Sequence, residues 1–255
     1  MAEERNSKYR AAFLKRKQVS DTPAKKSLVE KMMTAEEPDE GLDVVDKPSS
    51  TDKKSIFIIR HGKTALDPTH RSDGWLDLPL SDDGRVRLIT VQQYLKDIPL
   101  KKIYAPDFLR TSESAAIIAS GTISHPQVVV ASDDSKTWNL GVFAGTEKEP
   151  NKPKVQYFMD NPDKVPEGGE SYDAFTKRFF SWLDGIQDKV RKGEGPILLV
   201  LSGSSIRAIS VKQTGDRKKL DLDEGGLMLM TPKGKDEWNA KVVFGHKDET
   251  NEWLS

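Results

Sequence analysis

The sequence predicts an α/β fold, a three-layer α/β/α sandwich with a mostly parallel central sheet, over residues 55–255. Three observations carry this expectation. Two segments, Ser55–Arg60 (SIFIIR) and Ile197–Leu201 (ILLVL), have unbroken apolar centres, as strands do when both faces of the sheet are covered. Between and after them, strand-like and helix-like segments alternate, the order in which helices carry the chain back to a parallel sheet. One long segment places Tyr172, Phe175, Phe179, Trp182, Leu183, Ile186 and Val190 at helical spacing, which marks a helix that covers a core.

The elements follow in order along the chain. Ser55–Arg60 opens the sheet as a central buried strand. Ser81 can cap a helix over Asp82–Lys96, because its hydroxyl can accept from a free backbone N–H of the first turn. Lys102–Ala105 is a short strand, Arg110–Ala119 a helix and Gln127–Ala131 (QVVVA) a third strand. Ser171 can cap the aromatic helix, which runs to about Arg191. ILLVL is then the second central strand, a helix follows over Ser205–Gln213, and Leu227–Met230 and Ala240–Phe244 are closing strands.

Residues 1–54 differ from the rest. Residues 1–35 carry nine Lys and Arg against four Asp and Glu, residues 36–46 carry six acids and no base, and a polar KPSSTDKK stretch follows. Such a composition cannot bury enough apolar surface to fold alone. It reads as a charged arm or linker, disordered or docked on a partner. Thr22, Pro23 and the apolar set Leu28, Val29, Met32 and Met33 mark a piece able to turn helical on such a partner, in a larger particle or complex.

Composition excludes several classes of function. There is no cysteine, so disulfides and thiolate metal sites are out. His61, His70, His125 and His246 show no metal-ligand spacing, and neither metal nor other cofactor is expected. Basic and acidic residues balance at 40 each, leaving no global field to draw nucleic acid or an anionic membrane surface. No apolar run approaches the roughly 18 residues of a membrane span, and the MAEERNSKYR start has no apolar leader core. The expectation is a soluble cytoplasmic protein.

The chemistry gathers where the two central strands end. Strand SIFIIR runs into Arg60-His61-Gly62-Lys63-Thr64, and ILLVL runs into Ser202-Gly203-Ser204-Ser205 and a helix carrying Arg207. Ligand sites of open α/β sheets form at the carboxyl ends of strands. Small residues between strand and helix let backbone N–H groups approach an anion. Two such ends side by side make one phosphate-sized pocket.

These segments resemble the histidine phosphatase (phosphoglycerate-mutase-like) superfamily across roughly residues 55–231. RHGKT resembles its RHG-x-T signature. GWLDLPLSDDG (74–84), PDFLRTSESA (106–115), WNLGVFAG (138–145), GGESYDAF (168–175) and LSGSSIRAI (201–209) resemble its later segments in order. The resemblance implies a phosphoglycerate-mutase-like fold and phosphatase-type hydrolysis of a phosphorylated small molecule or phosphoprotein, without metal. It implies His61 as a nucleophile that becomes phosphohistidine. Arg60 and Arg110 would hold the phosphoryl oxygens. Gly62, Thr64 and Gly203 would shape the phosphate loop, and Asp67 stands where an Asn is usual.

Two slots depart from that pattern. Ser202 stands where a second histidine is implied, and Thr137 where a general-acid Glu is implied. Asp133, Asp134 and Glu170 are the candidate replacement acids. Losing one charge-assisted contact to the transition state costs about 2–4 kcal/mol. The expectation is therefore a metal-independent phosphatase of reduced activity that favours good leaving groups. The alternative is a degenerate phosphate-binding module, or a structural component tethered by residues 1–54. His70, His125 and His246 read as surface residues and Arg207 as structural. A serine nucleophile at Ser202 has no Asp–His pair to activate it.

Overall fold

The computed structural model describes residues 53–235 and 237–246. Apart from Lys53 and Lys54, the arm assigned to residues 1–54, with its amphipathic piece around Leu28–Met33, lies outside the described residues. Six strands form one sheet: β1 (Ile56–Arg60), β2 (Lys102–Ala105), β3 (Gln127–Val130), β4 (Ile197–Leu201), β5 (Leu222–Lys233) and β6 (Glu237–His246). Their order is β3-β2-β4-β1-β5-β6. The first four are parallel, while β5 and β6 add an antiparallel edge.

Among the described residues five α-helices accompany the sheet: α1 (Asp82–Leu95), α2 (Leu109–Gly121), α3 (Lys148–Asp160), α4 (Tyr172–Lys189) and α5 (Gly203–Thr214). Alternation along the buried strands produces the two outer layers. Ile56, Ile58, Leu199 and Leu201 face Phe175, Phe179 and Ile186 of α4 and Ile206 and Ile209 of α5. Phe57, Ile59, Leu198 and Val200 face Leu88, Val91 and Leu95 of α1 and Ala115 and Ile118 of α2. The period-two geometry of a strand thus feeds two cores from one apolar run. The fold is the expected three-layer α/β arrangement.

Both capping serines act as the sequence suggests. Ser81 Oγ accepts from Gly84 N at 3.1 Å, and Ser171 Oγ accepts from Ala174 N at 3.1 Å. The α1 start is also pressed against the loop after β1. A Cβ on Gly84 would lie 2.3 Å from Lys63 O, so only a glycine lets helix and loop meet there.

α3 has no counterpart in the sequence reading. Its KEPNKPKVQYFMD sequence contains two prolines and buries no residue fully. Pro150 falls in the first turn, where the missing N–H goes unused, but Pro153 lies inside the helix. The helix persists because Val155, Phe158 and Met159 pack on the α4 side of the core. α4 ends at Lys189 rather than Arg191, and a π-turn over Val190–Glu194 closes it, with Gly193 at φ 89°. Among the described residues no helix is long and apolar enough to cross a membrane.

Candidate active site

The site begins with the pairing of β1 and β4, which run parallel with Arg60 opposite Leu201. His61 N donates to Leu201 O at 3.0 Å, so the two strands stay joined one residue past their ends. The chain then opens into His61-Gly62 on one side and Ser202-Gly203 on the other. Ser202 is the N-cap residue of α5, yet its side chain makes no capping hydrogen bond. A Cβ on Gly203 would lie 3.0 Å from Arg207 Nη1 and 3.3 Å from Arg60 Cζ. The glycine therefore makes room for two guanidiniums.

Arg60, His61, Arg110 and Ser202 line one hollow of about 90 Å³, together with Gly203 and Thr137. The structure brings these sequence-predicted residues together. Asp73 and Arg207 share the same wall. Gly62 and Thr64 continue the loop behind His61. Gly62 N donates to Ser114 Oγ at 3.2 Å, which ties that loop to α2.

His61 is buried, and its Nδ1 lies 2.9 Å from Gly62 O. A carbonyl can only accept, so Nδ1 carries the proton and Nε2 presents its lone pair. Burial, then the neighbouring Arg110 charge, pushes the imidazole down to about 3, against the opposing pull of the Gly62 carbonyl. The ring is therefore neutral at any ordinary pH. A neutral imidazole with a free Nε2 has the form a nucleophile needs.

The two arginines are held by their ends. Arg60 Nη1 donates to Leu222 O at 2.6 Å, and its Nη2 pairs with the Glu224 carboxylate. Burial alone would raise the Glu224 carboxyl, but the Arg60 charge holds it at about 2. Arg110 Nη1 and Nη2 donate to Leu76 O at 2.6 Å and Gly74 O at 2.7 Å, and its guanidinium sits 4.4 Å from the Phe108 ring centre. Both arginines leave a buried Nε–H with no hydrogen-bond partner among the described residues. A buried unpaired donor costs about 1–3 kcal/mol. Both residues line the hollow, and two guanidinium charges beside one hollow suit an oxyanion.

Carboxylates complete the surroundings. Asp67 Oδ2 accepts from Thr64 N at 2.6 Å, and its Oδ1 lies 3.9 Å from Lys148 Nζ. Burial and the nearby Glu224 charge raise the Asp67 carboxyl, while the Thr64 N–H opposes them. Asp73 Oδ1 accepts from Thr64 Oγ1 at 2.8 Å. Its Oδ2 stands 4.0 Å from His61 Nε2 and 3.9 Å from Arg110 Nε.

The three candidate acids are placed elsewhere. Glu170 accepts from Asn139 N at 2.8 Å and from Arg178 Nε at 2.9 Å. Asp133 is exposed and pairs with Lys136 Nζ at 2.8 Å, and Ser132 Oγ lies 3.5 Å from the exposed Asp134 carboxylate. None of the three lines the hollow, whereas Thr137 does. Thr137 O is fixed by Trp75 Nε1 at 2.8 Å and Arg178 Nη2 at 3.0 Å. His70 is exposed and in a left-handed turn, outside the hollow.

Sequence reasoning missed Asp73, Glu224 and Lys148, and it read Arg207 as structural. Arg207 lines the hollow and also pairs with Asp221 at 3.3 Å. Asp73 directly precedes the GWLD segment, and that adjacency was the one available signal. Glu224 reaches Arg60 from β5, which no local pattern announces.

Comparison with known proteins places the chain in a family. The family model of the histidine phosphatase superfamily (branch 1) matches residues 56–242. The chain is similar to a metal-independent phosphoserine phosphatase of Arabidopsis thaliana, 29% identical over 166 residues, 62% of this chain and 68% of the relative. It is also similar to phosphoglycerate mutase-like protein 4 of Arabidopsis thaliana, 31% identical over 179 residues, 67% of this chain and 75% of the relative. Among solved structures, a phosphoglycerate mutase from Bacillus anthracis shares the fold with a TM-score of 0.65 at 20% identity, covering 74% of this chain and 91% of that one.

Proposed function

The chain belongs to the histidine phosphatase superfamily, branch 1, and on that premise we propose that it hydrolyses phosphoryl groups through a phosphohistidine at His61, at a rate reduced by Ser202 and Thr137. The observation that carries this reading is the convergence of three groups on one hollow: the neutral His61 and the two buried arginines, Arg60 and Arg110, that each keep an unpaired Nε–H. His61 Nε2 attacks phosphorus, and the guanidiniums take up the charge that develops on the phosphoryl oxygens. Water then attacks the phosphohistidine and releases phosphate. Metal-independence is the named property of one relative, a phosphoserine phosphatase, and it fits a site that places cationic side chains where a metal would otherwise neutralise charge. The substrate class is a phosphorylated small molecule or a phosphoprotein.

Ser202 can donate a hydrogen bond but carries no charge, so the Ser202→His variant should gain about 30- to 1000-fold in turnover. The test uses 4-nitrophenyl phosphate with wild type, His61→Ala and Ser202→His. Wild type should form an acid-labile phosphoenzyme and release product, and His61→Ala should do neither. Turnover that survives in His61→Ala removes the reading.

Ser202 and Thr137 also favour a second reading, a degenerate site that captures a phosphorylated ligand without turning it over. Phosphate binding with no wild-type turnover, and turnover recovered in Ser202→His, would select it. The segregated charge of residues 1–54 supports a role for that arm in tethering the domain to a protein partner or larger assembly. Deleting the arm should abolish such assembly and leave the domain folded.

A further inference from the structure

The geometry points to Asp73 as the general acid and base of this site, an assignment that rests on phosphoryl transfer to His61. Of the carboxylates around the hollow, Glu224 is locked on Arg60, Asp221 pairs with Arg207, and Asp67 takes the Thr64 N–H. Asp73 is the one that stands by the nucleophile, with Oδ2 4.0 Å from His61 Nε2 on the wall of the hollow. Its aim is set by its other oxygen, which takes the Thr64 hydroxyl at 2.8 Å. The side chain is 13% exposed, so it reaches the hollow without being sealed from water.

A purely structural role explains these contacts less well. Arg110 is already fixed by the Leu76 and Gly74 carbonyls at 2.6 and 2.7 Å, and Asp73 Oδ2 stands about as far from its Nε, 3.9 Å, as from His61 Nε2, 4.0 Å. Arg110 therefore does not need Asp73 to hold its place. The 4.0 Å between Asp73 and Nε2 is too short to seat a phosphoryl group between them, so the carboxyl flanks that group, and the role requires the in-line leaving oxygen, beyond phosphorus from Nε2, to come within reach of Oδ2. The role needs that carboxyl to carry the proton that the leaving oxygen takes.

That proton has a defined path. As the Nε2–P bond forms and the P–O bond to the leaving group breaks, the Asp73 carboxyl gives its proton to the departing oxygen and becomes a carboxylate. In the second half the carboxylate takes a proton from water as the water oxygen bonds to phosphorus and the N–P bond breaks. Imidazole and carboxyl both return to their starting forms, and the net change is ester plus water to alcohol plus phosphate.

The test compares phenyl phosphate with 4-nitrophenyl phosphate, which are alike in shape but differ in how much their leaving oxygens need a proton. kcat/KM is measured for wild type, Asp73→Asn, Asp73→Ser and His61→Ala. Losing a general acid costs about 10²- to 10⁴-fold on a poor leaving group. Both Asp73 variants should therefore lose at least about a hundredfold on phenyl phosphate, and the ratio of the two rates should shift at least tenfold toward the nitrophenyl ester. The ratio comes from one preparation, so any unfolded fraction cancels. Equal losses on both esters, or no loss, with turnover still dependent on His61, would reduce Asp73 to a positioning residue and overturn the assignment. Turnover that persists in His61→Ala would instead overturn the phosphohistidine itself, and a wild type inert to both esters would overturn both.

Discussion

At the scale of single residues, the site is set by the charges that burial permits. His61 ionises near 6.5 when exposed and at about 3 in the folded chain. Between those values the unfolded chain holds the extra proton. Stability from a neutral His61 is thus complete above pH 6.5 and is lost as pH falls toward 3, with a slope of at most about 1.4 kcal/mol per unit. Glu224 acts lower down. Its folded value of about 2 lies below the ordinary 4.5, so its contribution is full above 4.5 and disappears as pH falls to about 2. The two windows separate the two residues. Urea unfolding of wild type should weaken steadily from pH 6.5 to pH 4.5, and His61→Asn should flatten that slope. An equal slope in the variant would mean that some other group is responsible. The same neutrality leaves Nε2 its lone pair throughout that range.

At the scale of elements, the ends of β1 and β4 do most of the positioning, and Gly203 at the start of α5 is the point of closest approach. The Gly203→Ala variant puts a methyl group 3.0 Å from Arg207 Nη1 and 3.3 Å from Arg60 Cζ. Displacing the Arg60 fork should weaken inorganic phosphate binding by about tenfold, equivalent to about 1.4 kcal/mol, while far-ultraviolet circular dichroism stays unchanged. Unchanged phosphate affinity by calorimetry would show that Arg60 absorbs the methyl group without leaving the oxyanion position. These same elements account for what the sequence made legible. β1 and β4 could be read because an apolar strand covered on both faces needs no knowledge of its neighbours. α4 could be read because its aromatic residues repeat at the helical period. α3 could not, since its two prolines and charged first turns argue against a helix and its packing on the core is a tertiary effect. Ser202 and Thr137 could be read as departures only through the resemblance of the motifs around them, and both line the hollow. Asp73 and Glu224 were not, because one acquires its meaning from a 4.0 Å approach to Nε2 and the other from a partner 164 positions earlier.

At the scale of the whole molecule, the balance of charge makes ligand binding a local matter. With 40 basic and 40 acidic residues, the chain has no net charge to draw anions from solution. Any affinity for phosphate must come from the hollow itself, which the guanidinium-bearing Arg60 and Arg110 line. An anion held in that hollow binds the folded chain and not the unfolded one, so it stabilises the fold by mass action. At a concentration 100 times its dissociation constant the gain is about 2.7 kcal/mol. A domain of this size shifts its midpoint by about 2–4 °C for each kcal/mol. Saturating phosphate or vanadate should therefore raise the thermal midpoint by about 5 to 10 °C, and sodium chloride of equal ionic strength is the control for non-specific salt. Arg110→Ala should abolish the phosphate-dependent part, because it removes one of the two forks. A midpoint that rises equally in wild type and Arg110→Ala would place the bound anion outside this hollow, and the convergence of His61, Arg60 and Arg110 would then have no ligand to explain it.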